Sequence, residues 1–177
     1  ATSSDSYVAS FWYTLYAGVN RANILLDQID GIQGMNAANL KRYTAEARFL
    51  RALSYYFVLD LFGKGPFVDE TMPVGAFTPE AYTNAQLFDY IESELKDIEE
   101  QLVDRTAVVY GHAPQGAAWA LLARLYLNAE VYGAGNHYTD CITYCKKVIN
   151  AGYSLATAPV KYTSGDVEIE VPAYATL

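Results

Sequence analysis

One stretch of the sequence, residues 45–67, constrains the fold more than any other. Apolar side chains recur in it at four-residue steps, which is the period of one helix face: Ala45, Phe49, Leu53, Phe57 and Leu61. Ala52, Tyr56 and Leu59 widen this face, so we expect most of the helix to be covered by protein. Residues 63–66, Gly-Lys-Gly-Pro, should end it, because glycine suits a helix C-cap and proline cannot continue a helix. The stretch therefore predicts a central helix on which other helices pack.

Helical periodicity extends over most of the remaining chain. It covers four further segments: residues 6–30, 84–103, 113–132 and 138–150. The connection at residues 32–36 is short, with Asn36 or Asn39 as a cap, and short connections join antiparallel helices. The last two segments fit the tetratricopeptide pattern, with Trp119 and Tyr126 at its aromatic positions. We therefore predict an all-α fold of stacked antiparallel helix pairs, tetratricopeptide-like.

The C-terminal tail has a different pattern. Val167, Ile169 and Val171 alternate with acidic residues, which is typical of an edge strand. We divide the chain into a helical scaffold over residues 1–156 and an irregular or short β tail over residues 157–177.

Charge and composition exclude several function classes. The formal net charge is -8, which disfavours binding to nucleic-acid phosphates. No apolar run approaches the roughly 20 residues needed to cross a bilayer. The 16 tyrosines suit helix interfaces and sugar-facing surfaces equally, because the side chain joins an apolar ring to a polar tip.

Several residues in the first two predicted helices are candidates for ligand binding. Trp12 and Tyr13 could form a sugar-stacking platform, but the spacing of Trp12 favours the core. Asn20 and Asn23 could bind a ligand, although contacts between helices or solvent exposure are the favoured interpretation. Arg48 and Arg51 could hold an anion; mid-helix arginines beside glutamates and aromatic residues are more often members of ion pairs.

The long loop at residues 63–84 is the segment best placed to meet a partner, because loops of this length are often functional. The alternative is a plain connector held down by Phe67, Met72 and Phe77.

The remaining reactive side chains point to structure more than to chemistry. Cys141 and Cys145 lack the further ligands of a zinc site, are awkwardly spaced for a disulfide and suit buried small residues. His112 and His137 have no partner at motif spacing, which favours exposed loop histidines. The carboxylates at residues 92–100 are expected on a solvated face, which disfavours acid–base catalysis. We predict no enzyme activity, no catalytic residue, no metal ligand and no cofactor.

Residues 45–67 also carry a family resemblance. The run Ala-Glu-Ala-Arg-Phe-Leu-Arg-Ala at 45–52, the pair Tyr55-Tyr56, Asp60-Leu-Phe-Gly63 and Pro66-Phe67 closely resemble the signature helix of SusD-like (SusD/RagB) proteins. These are outer-membrane surface lipoproteins that bind glycans for nutrient uptake in polysaccharide utilization. The family is several hundred residues long, so the resemblance implies that this chain is one part of a larger protein, processed or truncated.

The resemblance implies a non-catalytic protein that binds oligo- or polysaccharide and delivers it to a TonB-dependent, SusC-like transporter. It implies a cell-surface location on the outer membrane, although neither a signal nor a lipidated cysteine lies in this chain. No position matches a family sugar-binding motif, so the carbohydrate-binding residues stay unknown and this chain is expected to be mainly scaffold. The alternative function is a tetratricopeptide-type protein–protein interaction module, with a groove lined by Asn20, Asn23 and Asn128. A glycoside-acting enzyme would need two carboxylates facing each other across a cleft.

Overall fold

The computed structural model describes residues 5–73, 75, 77–153, 159–164 and 167–171. The helices are α1 (Ser6–Gln28), α2 (Ala37–Phe62), α3 (Asn84–Ile98), α4 (Gln115–Leu127) and α5 (Tyr138–Asn150), with a 3₁₀ turn at Ile29–Gly31. Two antiparallel strand pairs complete the description: β1 (Gly65–Pro66) with β2 (Ala81–Tyr82), and β3 (Val160–Ser164) with β4 (Val167–Val171). The predicted all-α fold of stacked helices is confirmed.

The ends of the first two helices follow from local chemistry. The Asp5 carboxylate accepts from the first free N–H groups of α1, and the Asn36 side chain accepts from the N–H of Asn39 at the start of α2. Of the two predicted caps, Asn36 and Asn39, Asn36 is therefore the one that caps the helix. Gly63 ends α2 with a φ of 77°, a left-handed value that favours glycine. The hard stop expected after the central helix is thus present at the expected residue.

Consecutive helices run antiparallel. Near one end of the α1–α2 pair, the rings of Trp12 and Phe62 lie 4.8 Å apart, and nearer the other end Arg51 donates to Asn23. Helix α3 also packs on α2, where Tyr90 contacts Tyr55. The α4–α5 pair then packs on α3 through rings of Tyr126 and Phe88, and α5 returns along α4.

The core is a single cluster centred on α2. Tyr55, Tyr56 and Tyr126 are at most 1% exposed, so these large rings fill the space between helices. One member of the predicted buried stripe is wrong: Leu61 is 56% exposed, although its neighbour Phe62 packs against the core. Trp12 is half-buried against Tyr16 and Phe62, as its spacing predicted, whereas Tyr13 points to solvent.

The tail forms a hairpin. Residues 167–171 are a strand, as predicted, and they pair with β3, where Tyr162 lies opposite Ile169. The predicted boundary after residue 156 lies outside the described residues and stays a prediction. None of the described helices is both long enough and apolar enough to cross a membrane.

Candidate functional site

The loop between α2 and α3 is packed down at its base. Phe67 is 4% exposed and stacks on Tyr82 with ring centroids 4.2 Å apart. The Tyr55 hydroxyl donates to the Val68 carbonyl and accepts from the Val68 N–H, both at 2.8 Å. Two of the three predicted anchors, Phe67 and Met72, pack against the core. The third is wrong, because Phe77 is 42% exposed.

Arg51 ties this loop to α1 and α3. Its side chain is 4% exposed and donates to Glu70 in the loop, to Asn23 Oδ1 at 2.8 Å and to Glu94 at 3.2 Å. Asn23 in turn donates through Nδ2 to the Val68 carbonyl at 3.2 Å. The expected ion-pair role of Arg51 and the expected contact between helices at Asn23 are both present.

Arg48 makes a second set of ion pairs on the same face of α2. Its guanidinium binds Glu94 with two hydrogen bonds of 2.7 and 3.1 Å and Asp97 with one of 2.6 Å. Hydrogen bonding to Glu94 raises the pKa of Arg48, with burial opposing it. Both arginines thus face carboxylates, which makes an anion site at this position unfavourable.

A groove of about 320 Å³ lies between α1 and the loop. The α1 side contributes Asn20, Asn23, Ile24 and Asp27, which share one helix face because they are spaced by three and four residues. The loop contributes mainly residues 68–73 and Phe77. We call this the α1–loop groove.

The walls of the α1–loop groove mix apolar surface with hydrogen-bond acceptors. Ile24 is 60% exposed and Phe77 offers an accessible ring, while Asp27, Asp69 and Glu70 carry negative charge. Asp69 accepts from the Thr71 N–H and hydroxyl through one oxygen. The sequence pointed to the loop, Asn20 and Asn23 as candidates for binding, but not to these carboxylates or to Phe77 as a groove residue. The length of the loop was the signal for the loop residues, and Asp27 on α1 had no signal.

A second groove, of about 400 Å³, follows the other side of the α1–α2 pair. It is mainly apolar, with Leu25, Leu50 and Leu53 along its length, and Gly18 brings α1 close to Ser54. We call this the α1–α2 groove.

Both histidines lie outside the helices, as predicted, but both are partly buried, so the predicted exposure is wrong. His112 contacts the Glu46 carboxylate at 2.8 Å and stacks beside Tyr43, because the segment before α4 crosses α2. His137 precedes α5, contacts Asp140 at 2.9 Å and lies 5.3 Å from the ring of Tyr126. The partner of His112 lies 66 residues away in sequence, where local spacing cannot reveal it, whereas Asp140 is only three residues from His137.

The predicted solvated acidic face of α3 is only partly present: Asp97 is 61% exposed and Glu100 is also exposed, but the other carboxylates are not. Glu94 and Glu99 have side chains only 12% and 13% exposed, because α2 and α5 bring cations against them. Lys147 of α5 binds both oxygens of Glu99 at 3.0 Å. Burial by itself would raise the pKa of Glu92, because it disfavours the charged form. Hydrogen bonds from Lys96 and Tyr126 outweigh this effect, so the pKa of Glu92 is lowered.

The cysteines have different environments. Cys141 is buried and donates to the Ala123 carbonyl at 3.3 Å, and burial raises the pKa of its thiol. Cys145 is exposed, so the buried-residue interpretation holds for Cys141 alone. Within the described residues, no three His, Cys, Asp or Glu side chains are grouped to hold a metal ion.

Comparison with known proteins gives consistent matches. Residues 1–127 match the SusD-like family model described as "Starch-binding associating with outer membrane". The starch-binding protein SusD of Bacteroides thetaiotaomicron is 41% identical over 142 residues, covering 78% of this chain and 24% of that protein. Curated relatives are thus matched over about a quarter of their length.

Solved structures agree on the fold. A SusD superfamily protein from Parabacteroides distasonis superposes with a TM-score of 0.77 at 25% identity, covering 87% of this chain and 34% of that one. A laminarin-binding SusD-like protein superposes with a TM-score of 0.71, also at 25% identity, covering 82% of this chain and 32% of that one. The helical scaffold is therefore shared with larger proteins.

Proposed function

The chain belongs to the SusD-like family, and from this membership we propose that the intact protein binds oligo- or polysaccharide without catalysing its cleavage. The observation that carries the proposal is the 41% identity to a protein named for starch binding. This chain would then act mainly as the helical scaffold. The α1–loop groove supports the proposal, because it offers exposed apolar surface to the C–H face of a sugar ring and hydrogen-bond acceptors to its hydroxyl groups.

The absence of catalysis is part of the proposal. The least exposed carboxylates of α3 are engaged by cations: Glu94 by Arg48 and Arg51, and Glu99 by Lys147. A carboxyl group that acts as a general acid needs surroundings that favour its protonated form, and a bound cation does the reverse. These residues are therefore poor candidates for glycoside hydrolysis.

We propose further that the intact protein works at the outer-membrane surface as a lipoprotein, and passes its ligand to a TonB-dependent, SusC-like transporter. The description of the matching family model, with its association to the outer membrane, supports the location. Recovery of the intact protein with such a transporter from detergent-solubilised outer membranes tests the partnership. Quantitative recovery of each without the other would count against it.

A second candidate function is a tetratricopeptide-type protein interaction module. The α1–α2 groove favours it, because a mainly apolar groove between helices suits a peptide or helix. Asn23, one of the side chains expected to serve such a function, is instead committed to Arg51 and Val68.

Affinity gel electrophoresis of the intact protein tests the main proposal. We expect slower migration in gels that contain starch or laminarin than in gels without polysaccharide. Normal migration of the folded protein in every polysaccharide gel would overturn glycan binding, and retention of extended peptides would then favour the second function. Release of reducing sugar would contradict the non-catalytic assignment.

A further inference from the structure

We propose that the α1–loop groove is a saccharide subsite that accepts uncharged sugars and rejects acidic ones, such as uronate or sulfated units. The inference rests on the proposed function and assigns a part in it to this segment of the chain. Four observations carry it: the shape of the groove, its unengaged polar groups, its ordered walls and its charge.

The shape suits a short stretch of saccharide. A volume of about 320 Å³ lies at the small end of the range of roughly 300–1,000 Å³ found for ligand pockets. The Phe77 ring is accessible, and Ile24 on α1 adds apolar surface. The carbon-bound hydrogens of a pyranose ring can pack against such surface while its hydroxyls turn to polar neighbours.

Polar groups in the groove can form further hydrogen bonds with the hydroxyl groups of a sugar. Within the described part of the chain, Asn20 and Asp27 make no side-chain hydrogen bond or ion pair, yet both line the groove. Asn20 can donate and accept, whereas Asp27 accepts only. Asp69 and Glu70 make their described contacts through one oxygen each, Oδ1 and Oε2. Sugar hydroxyls are donors that match this excess of acceptors.

The groove walls are held in place without a ligand. Arg51 fixes Asn23 on one side and Glu70 on the other, and the Tyr55 hydroxyl fixes the backbone of Val68 at the start of the loop wall. A wall that is already ordered loses little conformational freedom on binding, so even a few contacts can contribute to affinity.

The charge of the groove selects the class of sugar. Asp27, Asp69 and Glu70 bring three carboxylates, while the cation bound there, Arg51, is buried and shared with Glu94. The groove is therefore net negative toward solvent. A uronate or sulfate group would meet like charge, whereas a neutral hydroxyl would meet acceptors.

Titration calorimetry of the intact protein with two probes tests the inference: a maltooligosaccharide as the neutral sugar and an oligogalacturonate of equal length as the acidic one. We expect the wild-type protein to prefer the neutral probe. Phe77→Ala should weaken neutral binding about tenfold, and Asp27→Asn should narrow the preference by raising affinity for the acidic probe several-fold. Tyr13→Ala and Asp30→Asn are matched controls, because they remove an exposed ring and an exposed carboxylate outside the groove.

The outcomes separate this inference from the proposed function. If the folded wild-type protein binds neither probe nor any polysaccharide gel, the proposed function fails and the subsite with it. If the wild-type protein binds and both groove variants match their controls, the subsite alone is overturned. If Phe77→Ala weakens binding while Asp27→Asn leaves the preference unchanged, the charge selection is overturned. Circular dichroism of each variant establishes that it is folded.

Discussion

At the scale of single residues, Arg51 joins three segments that are distant in sequence. Its buried guanidinium contacts Asn23 in α1, Glu70 in the loop and Glu94 in α3. A buried ion pair is costly to break, because removing one partner leaves the other charged and poorly solvated. We therefore expect this residue to matter for stability as well as for the shape of the α1–loop groove.

Replacing Arg51 with Met should lower the free energy of unfolding by about 2–3 kcal/mol, less than for a fully buried ion pair because Glu70 is 30% exposed. Glu94 would keep Arg48 as a partner, whereas Glu70 would lose the cation described for it. Urea denaturation followed by circular dichroism measures the change.

The matched control for this prediction is Arg21→Met. Arg21 is exposed and lies on the same pair of helices, so its replacement should change stability by about 0.5 kcal/mol or less. Equal effects of the two substitutions would contradict the role given to Arg51. Adding Glu70→Gln to Arg51→Met should recover part of the loss, because it removes the unpaired charge.

Sequence spacing predicted that Arg48 and Arg51 form ion pairs but could not identify all their partners. Local periodicity reports neighbours three and four residues away, whereas Glu94 lies more than forty positions from either arginine. The same limit explains His112, whose partner Glu46 is 66 residues distant, and the acidic residues of α3 that were expected in solvent. The pattern of charges within α3 predicted solvent exposure for those side chains, because it holds no information about the helices that pack against α3.

At the scale of secondary-structure elements, α3 begins with a reciprocal cap. The Thr83 hydroxyl accepts from the Gln86 N–H, and the Gln86 side chain accepts from the Thr83 N–H at 2.9 Å. Thr83→Ala should cost about 1 kcal/mol of stability, whereas Thr83→Ser keeps the oxygen and should cost much less. Thermal unfolding of the pair of variants measures the difference. Equal melting temperatures would argue against the cap.

The approach of β1 to the helices leaves no room for a side chain at Gly65. A Cβ atom there would lie 2.8 Å from Val58 Cγ1 and would also press on the Tyr16 hydroxyl, which donates to the Pro66 carbonyl. Gly65→Ala should therefore destabilise the protein by about 1–3 kcal/mol, as overpacking does. Gly31→Ala is the control, because nothing lies within 4 Å of that position. Chemical denaturation of both variants decides, and similar midpoints would contradict the prediction.

Long periodic elements were predictable, and the two-residue strands were not. Helices α1, α2 and α5 begin or end within two residues of the predicted positions, because apolar stripes and capping residues mark them. The two-residue strands β1 and β2 are too short to show alternation, and a loop separates them in sequence. The α1–loop groove depends on this pairing and on Arg51, so its residues could not be assembled from the sequence.

At the scale of the whole molecule, tyrosines join the helices. Their rings fill the core, and their hydroxyls donate to acceptors on other segments: Tyr55 to Val68, Tyr126 to Glu92 and Tyr132 to Asp60. Composition alone left these rings equally suited to helix interfaces and sugar surfaces. The largest buried rings belong to the interfaces, which leaves Phe77 beside the groove as a candidate for sugar contact.

Burial gives these tyrosines a predictable response to alkali. It raises the pKa of Tyr144 to about 12, with Glu99 adding to the effect, and burial together with Glu92 raises the pKa of Tyr126 further. The pKa of each of these tyrosines is above its unfolded-state value of about 10. Its contribution to the free energy of unfolding is therefore complete below about pH 10 and is lost as the pH rises toward the folded-state pKa. The folded protein should therefore lose stability steadily above about pH 10.

Tyr126→Phe isolates one contribution to this alkaline loss. Near neutral pH the variant should be less stable by about 0.5–1.5 kcal/mol, because it lacks the hydrogen bond to Glu92. Above about pH 10 the Tyr126 hydroxyl ionises in the unfolded wild-type chain, which lowers the free energy of unfolding of the wild type. The variant has no such hydroxyl, so the difference in the free energy of unfolding between the two proteins should shrink and then reverse. Urea denaturation of both proteins across this range measures it. A difference that stays constant with pH would mean that Tyr126 ionises equally in both states, against its buried position on α4 between α3 and α5.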